Sequence, residues 1–455
     1  MSARERSGLE RVLSIVTELR PGEGITALLL ALNVFVLLTA YYVIKPVREA
    51  LILAMESGAQ YKSYMSAGIA LGLLVVVPMY SRYASRVRRN RLVVGVTLFF
   101  VSHLAIFYVA SQFTWTQSFL GLLFYLWVGI FNMMVVAQFW AFANDVYAEA
   151  EGKRIFPLIG LGASIGAAIG SFVSGQLIRV LGTYPMLLVA GLLLSGCALL
   201  THVVHVRESG RPNSAYGVEE EKTDAKPSAP KGAFAMVLSS RYLILLALFS
   251  FIFTFVNTNG EFMLSLLISN TADGLVEAGK IAADAKGQYI GAQYSDFFFY
   301  VNILGVLMQM LVVSRLVKYF GLGPSFFILP VIAFLDATAV AILPILTILY
   351  VGKILENATD YSLNNTLRNM LWLPTTREMK YRAKQAVDTF CVRMGDVSSA
   401  VLVFLGSNLL AFDVRSYALS NVALVGVWLA LAWFIVREYH RMTGEKQANS
   451  PLMEH

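Results

Sequence analysis

Long apolar stretches separated by short polar ones recur along nearly the whole chain. A helix that crosses a bilayer needs about 20 mostly apolar residues. Runs of that kind are predicted near 24–54, 61–81, 92–112, 116–145, 155–180 and 184–205. Six more follow near 241–270, 294–316, 324–343, 345–373, 385–411 and 416–437. The pattern predicts an all-α polytopic membrane protein with twelve transmembrane helices in two six-helix halves. Its parts are a cytoplasmic N-terminus 1–23, a first half 24–205, a linker 206–240, a second half 241–437 and a tail 438–455.

Within 8–20, Leu9, Val12, Leu13, Val16 and Leu19 fall on one face opposite charged residues, which predicts a short interfacial helix ended by Pro21-Gly22. The stretch from Glu208 to Lys231 is rich in charge, Pro, Ser and Gly and reads as a flexible linker. Between spans seven and eight, Ala272 to Lys286 is predicted to form a helix of its own.

The composition agrees with a membrane assignment: 455 residues, 57% hydrophobic and 14% charged. Basic residues set the orientation. With an interior N-terminus, 26 of the 36 Lys and Arg fall in interior segments, 4 in exterior loops (Lys62, Lys280, Lys286, Arg415) and 6 within spans. Both termini are therefore predicted to be cytoplasmic. The same asymmetry accounts for the net charge of +7, so no nucleic-acid partner is expected. The first apolar run starts too late and is too long for a cleavable signal.

Cys197 and Cys391 lie within spans and show neither a disulfide framework nor metal-ligand spacing, and the five histidines are scattered. No metal and no cofactor are expected. A phosphate-binding Gly-x-x-x-x-Gly-Lys-Ser/Thr loop is missing, as is any nucleophile–base group, so the chain is not expected to be an enzyme.

Candidate chemistry lies in the charges that interrupt the apolar runs. A cation at the bilayer centre costs about 2.5–3.5 kcal/mol even on the lenient insertion scale. Span one nevertheless contains Lys45-Pro46-Val47-Arg48-Glu49, with the three charged side chains on one helix face and a proline able to bend the helix there. Span seven is interrupted in a corresponding place by Asn257, Asn259 and Glu261. Interrupted first spans in two related halves are a pointer to the binding site of a major facilitator architecture.

Span ten is the most polar. Lys353, Asn357, Asp360, Asn364 and Arg368 advance by four, three, four and four residues and so form one stripe, with Glu356 beside it. Such a stripe lines a transport cavity or locks the bundle through interhelical ion pairs. Lys384, Asp388 and Arg393 enter span eleven and are read as inter-half ion pairs or a ligand path. Span four ends in Gln138-Phe139-Trp140-Ala141-Phe142-Ala143-Asn144-Asp145, where aromatic faces beside amides suit a flat ligand or else pack as core. In span five, Gly162, Gly166 and Gly170 recur every four residues and predict close helix packing.

Several of these segments together resemble the ATP:ADP antiporters of plastids and intracellular bacteria, within the major facilitator superfamily. Val43-Ile44-Lys45-Pro46-Val47-Arg48-Glu49-Ala50-Leu51 is similar to the family's charged first span. Phe139-Trp140-Ala141-Phe142-Ala143-Asn144-Asp145 resembles its Phe-Trp-x-Phe-Ala-Asn-Glu segment, and Ala358-Thr359-Asp360-Tyr361-Ser362-Leu363 its Ala-Thr-Lys-Tyr-Ser-Leu run. Lys384-Gln385-Ala386-Val387-Asp388 with Arg393-Met394-Gly395 resembles Lys-x-Ala-x-Asp followed by Arg-x-Gly. The likeness is collinear over about residues 25–435.

The resemblance implies a secondary transporter in which Arg48, Asp145 and Lys384 stand at functional positions. The chain departs from the pattern at Asn357, Asp360 and Asp396, each of which replaces a family lysine and removes positive charge. Nine acids now share the spans with six bases.

The expected function is alternating-access transport of a nucleotide of the ATP/ADP type or a related anionic metabolite by a monomer. The expected substrate-binding residues are Lys45, Arg48, Glu49, Asn144, Asp145, Asn257, Asn259, Glu261, Lys353, Asn357, Asp360, Asn364, Arg368, Lys384 and Arg393. Glu49, Glu261, Glu356, Asp360 and Asp388 are the candidates for a coupling site. Two alternatives stay open: proton-coupled transport of a less charged or amphipathic solute, and a non-transporting receptor or assembly partner.

Overall fold

The computed structural model describes residues 17, 20, 22–87, 89–147, 149–209, 230–376 and 378–448. Most of the predicted interfacial helix, linker residues 210–229, Arg377 and the tail from residue 449 lie outside the described residues.

Among the described residues every regular element is a helix. In chain order these are α1 (Gly24–Leu53), α2 (Gly58–Ala84), α3 (Arg89–Ala110), α4 (114–146), α5 (Glu149–Leu181) and α6 (Pro185–Ser209). A short α7 (Pro230–Ser239) precedes α8 (Arg241–Glu277), α9 (286–320), α10 (Leu322–Ile342), α11 (346–371), α12 (379–408) and α13 (Val414–Ala448). Eleven helices among the described residues are long and apolar enough to cross a membrane. Helix α11 stands where the sequence places span ten, and its polar stripe keeps it out of that count.

The predicted separate helix at 272–286 does not form. Helix α8 instead runs on to Glu277 and stops where Gly279 takes φ +67°, a left-handed conformation that suits glycine. A single 3₁₀ turn, Ala283–Ala285, then leads into α9, and Lys286 pairs with Asp273 at 2.6 Å. Nothing between Ser269 and Glu277 breaks a helix, so propagation continues at one bond per residue fixed.

The chain divides into two compact units. Unit 1 holds Met1–Gly58, Leu71–Thr223 and Ala272–Asn302; unit 2 holds Ala59–Ala70, Asp224–Thr271 and Ile303–His455. The first part of α2 thus belongs with unit 2 and the first part of α9 with unit 1.

In unit 1, α1 packs along α5 and α6. Lipid-soluble helices gain no hydrophobic driving force by touching, so their contact rests on close fit and hydrogen bonds. The glycine ladder supplies the fit. A Cβ on Gly162 would stand 2.5 Å from the Ala31 carbonyl oxygen and one on Gly170 2.7 Å from Cα of Thr39, while one on Gly166 would overlap the Phe35 carbonyl. Hydrogen bonds complete it: Thr39 donates to the Gly166 carbonyl at 3.2 Å, and Asn33 donates to Thr201 of α6 at 2.9 Å. The first part of α9 joins α5 in the same way, through Asn302 to Ser171 at 3.1 Å, Ser295 to Ser174 at 3.2 Å and an Arg179–Asp296 ion pair.

Unit 2 is built round a cluster of buried aromatics that includes Phe249, Phe253, Phe326 and Trp428. Helix α10 packs on α11 and α13. Polar ties fix the ends and middle: Tyr242 donates to the Leu371 carbonyl at 2.6 Å, and Asn259 of α8 donates to Asn421 of α13 at 2.8 Å. Lys62, counted above as an exterior-loop cation, is instead inside α2, buried, and donates to Ser265 at 2.8 Å.

Candidate functional site

In unit 1 the charged triplet sits on an unbroken α1, which continues through Pro46. The ammonium of Lys45 lies 3.9 Å from the centroid of the Phe298 ring and 5.3 Å from that of Tyr42. The Arg48 guanidinium lies 4.5 Å over the Tyr125 ring, and its Nε donates to Glu49 at 3.0 Å. Cation–ring contacts are worth about 2 kcal/mol or more when desolvated. Glu49 is almost fully buried, whereas Lys45 and Arg48 are half-buried. Two cations and one carboxylate leave this stretch of α1 with an excess of positive charge.

The span-four segment is divided. Phe139 and Phe142 are buried core, and Trp140 meets Phe156 edge-on with centroids 6.1 Å apart. Asn144 is exposed and Asp145 half-buried at the end of α4.

In unit 2 the predicted stripe of α11 meets α8. Lys353 is fully buried and donates to Glu356 at 2.8 Å and to Asn257 at 2.9 Å. Glu261 lies 4.0 Å from the same ammonium and accepts from Asn357 at 3.0 Å. Asn257, Glu261, Lys353, Glu356 and Asn357 are therefore one cluster. Asn259 is not part of it: two residues along a helix is about 200° of rotation, and this side chain turns to Asn421 instead.

Further along α11 the helix loosens into a π turn at Asp360–Asn364, where Asn364 donates to Asp360 at 2.7 Å. Single-turn π bulges of this kind are frequent at functional sites. Arg368 lies over the Phe253 ring and donates to Asp388 at 3.3 Å, and Lys384 pairs with the same carboxylate at 3.4 Å. Arg393 pairs with Asp396 at 3.1 Å, and Thr258 donates to Asp396 at 2.9 Å. Asp396 is thus matched locally by an intrahelical partner, Arg393.

Sequence reasoning left out three residues of the unit 2 cluster. Asp336 of α10 is buried close to Glu356 and Lys353. Gly352 leaves the space that its carboxyl fills, and Gly260 leaves the space for the Lys353 side chain. The signal for Asp336 was a lone acid within an otherwise apolar span. Nothing local distinguished the two glycines. Among the described residues no group of His, Cys, Asp and Glu is placed to hold a metal ion.

Residues 25–359 match the family model of the Major Facilitator Superfamily, and residues 294–440 match that of the TLC ATP/ADP transporter. The chain is 23% identical over 368 residues to ADP,ATP carrier protein 1 of Chlamydia pneumoniae, covering 71% of this chain and 67% of that protein. It is 24% identical to ADP,ATP carrier protein 4 of Rickettsia bellii, covering 70% and 65%. It is 22% identical to the plastidic ATP/ADP-transporter of Solanum tuberosum, covering 88% and 70%. The chain thus spans about two thirds of the length of the bacterial relatives it matches.

Among solved structures, a bacterial homologue of the human lysosomal transporter Spinster aligns with a TM-score of 0.59 at 14% identity, covering 93% of this chain and 99% of that one. The nucleoside transporter NupG aligns with a TM-score of 0.59 at 14% identity, covering 92% and 98%. These relatives are carriers rather than enzymes, and the shared helical architecture is that of a multi-pass membrane protein. The chain belongs to the Major Facilitator Superfamily, and its second half resembles the ATP/ADP transporters within it.

Proposed function

We propose that this protein carries a nucleotide of the ATP/ADP type, or a closely related phosphorylated anion, across a bacterial inner membrane by alternating access of its two halves, with both termini in the cytoplasm. The observation that carries the reading is the pair of cations on α1, Lys45 and Arg48, each held over an aromatic ring, with Glu49 paired to Arg48. A phosphate oxygen can accept from the guanidinium fork and from the ammonium, and such charge-assisted bonds are about twice as strong as neutral ones. Asp145 and the exposed Asn144 are assigned to polar contacts with the substrate, and Arg368, Lys384 and Arg393 to its path.

The names of the relatives support the same substrate class.

Reconstituted protein loaded with unlabelled ADP should take up labelled ATP by counterflow, and Arg48→Gln should abolish the exchange while the purified variant keeps its helical signal and monodispersity. Undiminished exchange by the variant would remove Arg48 from the site. No counterflow by the wild type with any adenine nucleotide would defeat the substrate assignment.

A further inference from the structure

We propose that Asp336 and Glu356 form a proton-binding site inside unit 2, where one proton shared between the two carboxyl groups is taken up and released during transport. The proposal rests on the reading of this chain as a transporter, and extends it by a coupling ion and a residue, Asp336, to which no role has been given.

Asp336 is buried at 8% exposure, and its Oδ1 has no hydrogen-bond partner among the described residues. The carboxyl is seated against α11 at Gly352, where any Cβ would overlap it. Glu356, one turn further along the same helix, is within hydrogen-bonding reach, and Lys353 is near both. The site thus holds a carboxyl group whose Oδ1 meets no donor among the described residues.

The cation next to it is already committed. Lys353 is divided between Glu356 at 2.8 Å, Asn257 at 2.9 Å and Glu261 at 4.0 Å. This ammonium thus faces both Glu356 and Asp336, which leaves one negative charge in excess of it if both are ionised. Burying an uncompensated charge costs several kcal/mol even after relaxation. Two adjoining carboxyl groups relieve this by holding one proton between them, and they then titrate as a pair.

Asp360 and the charges of α13 are engaged or placed elsewhere, and the buried Lys62 donates to Ser265 of α8. Asp360, one turn along α11, is met by Asn364 and lies towards Arg368. Helix α13 also packs on α10, but its basic and acidic residues lie at its ends, in Arg415 and from Arg437 onward, and it brings Trp428 to this level.

The adjoining cavity favours a proton over any larger ligand. Its volume is about 10 Å³, and Asn257, Glu356, Asp360, Phe253 and Trp428 are among its lining residues. That is room for about one water molecule. A metal cation would meet the Lys353 ammonium at the same carboxylates, whereas a proton adds to one oxygen and needs no coordination shell.

The test has two arms. Purified full-length protein is melted in detergent at about pH 5.5 and about pH 8.5, both above the range in which an ordinary carboxyl group titrates. A folded protein that holds a proton its unfolded chain has released is less stable as pH rises, so the wild-type Tm should fall across this range. Asp336→Asn and, separately, Glu356→Gln should flatten that slope; slopes equal to the wild type overturn the proposal.

In proteoliposomes, an acid-outside gradient of about one pH unit should raise ATP accumulation up to about tenfold per proton. Asp336→Asn should lose that gain yet keep ATP/ADP counterflow. A gain that survives in Asp336→Asn, or that a sodium gradient reproduces at equal pH, overturns the proposal. Absence of ATP movement in the wild type defeats the nucleotide reading alone, and the melting slopes still decide the proton site.

Discussion

A Cβ on Gly260 would stand 3.1 Å from Nζ of Lys353, so α8 leaves at this glycine the gap that the buried ammonium of α11 fills. The contact is with the flexible end of a lysine, which gives a graded expectation. Gly260→Ala should be close to neutral, because a shift of a few tenths of an ångström is offset by the better helix propensity of alanine, about 0.8–1.0 kcal/mol. Gly260→Val should cost about 1–3 kcal/mol, the usual range for overpacking. Chemical unfolding in mixed micelles distinguishes the two, and equal losses would show that the lysine does not depend on this gap.

Lys353→Met should destabilise by about 3–5 kcal/mol, since removal of one partner strands buried charge on the other. Here Glu356 loses the ammonium 2.8 Å away and Glu261 the same group at 4.0 Å. The double variant Lys353→Met/Glu356→Gln should recover part of the stability. Unfolding curves for the two single variants and the double form a cycle, and strictly additive losses would mean the pair is not coupled.

Much of this fold could be read from the chain because membrane burial imposes a simple rule: about 20 apolar residues per crossing, with basic residues between. Charges inside such runs are costly, so Lys45, Arg48 and Lys353 stood out for the same reason. Partner choice was not legible. The spacing along α11 puts Lys353 and Asn357 on one face, yet nothing in it tells that Asn257 and Glu261 of α8 would meet that face while Asn259 would turn to Asn421. Gly260 and Gly352 matter through the side chains of other helices, Lys353 and Asp336, which are remote in sequence. The left-handed stop at Gly279 was likewise hidden, because Gly274, five residues earlier, is passed by the same helix without a break.

The glycine ladder of α5 predicts a sharper response than Gly260 does. At Gly166 a side chain would meet the backbone carbonyl of Phe35, which cannot move without moving α1. Gly166→Leu should therefore cost more than the about 1–3 kcal/mol typical of overpacking. Gly160, where an added Cβ would meet nothing within 4 Å, should accept leucine with little loss. A fluorescence melting comparison of the two variants tests the packing directly. Equal melting points would contradict the placement of α5 on α1.

Asp413 gives a pH-dependent prediction away from the apolar interior. It stands just before α13, where its Oδ1 accepts from the Ser416 backbone N–H at 2.8 Å and from the Ser416 hydroxyl at 2.7 Å. This is the geometry of a helix N-cap, which satisfies a donor the first turn cannot. These hydrogen bonds favour the ionised form and hold the carboxyl below the usual carboxylate range. A group lowered in this way contributes fully above its unfolded pKa, and the contribution fades as pH falls through the folded value. The first turn of α13 should accordingly fray in acid. Asp413→Asn, which can still cap but cannot titrate, should keep the turn closed across the same range, while Asp413→Ala should fray at every pH. Hydrogen exchange at residues 415–417 reports each case, and a wild type whose protection there is constant between neutral and strongly acid pH would exclude the cap.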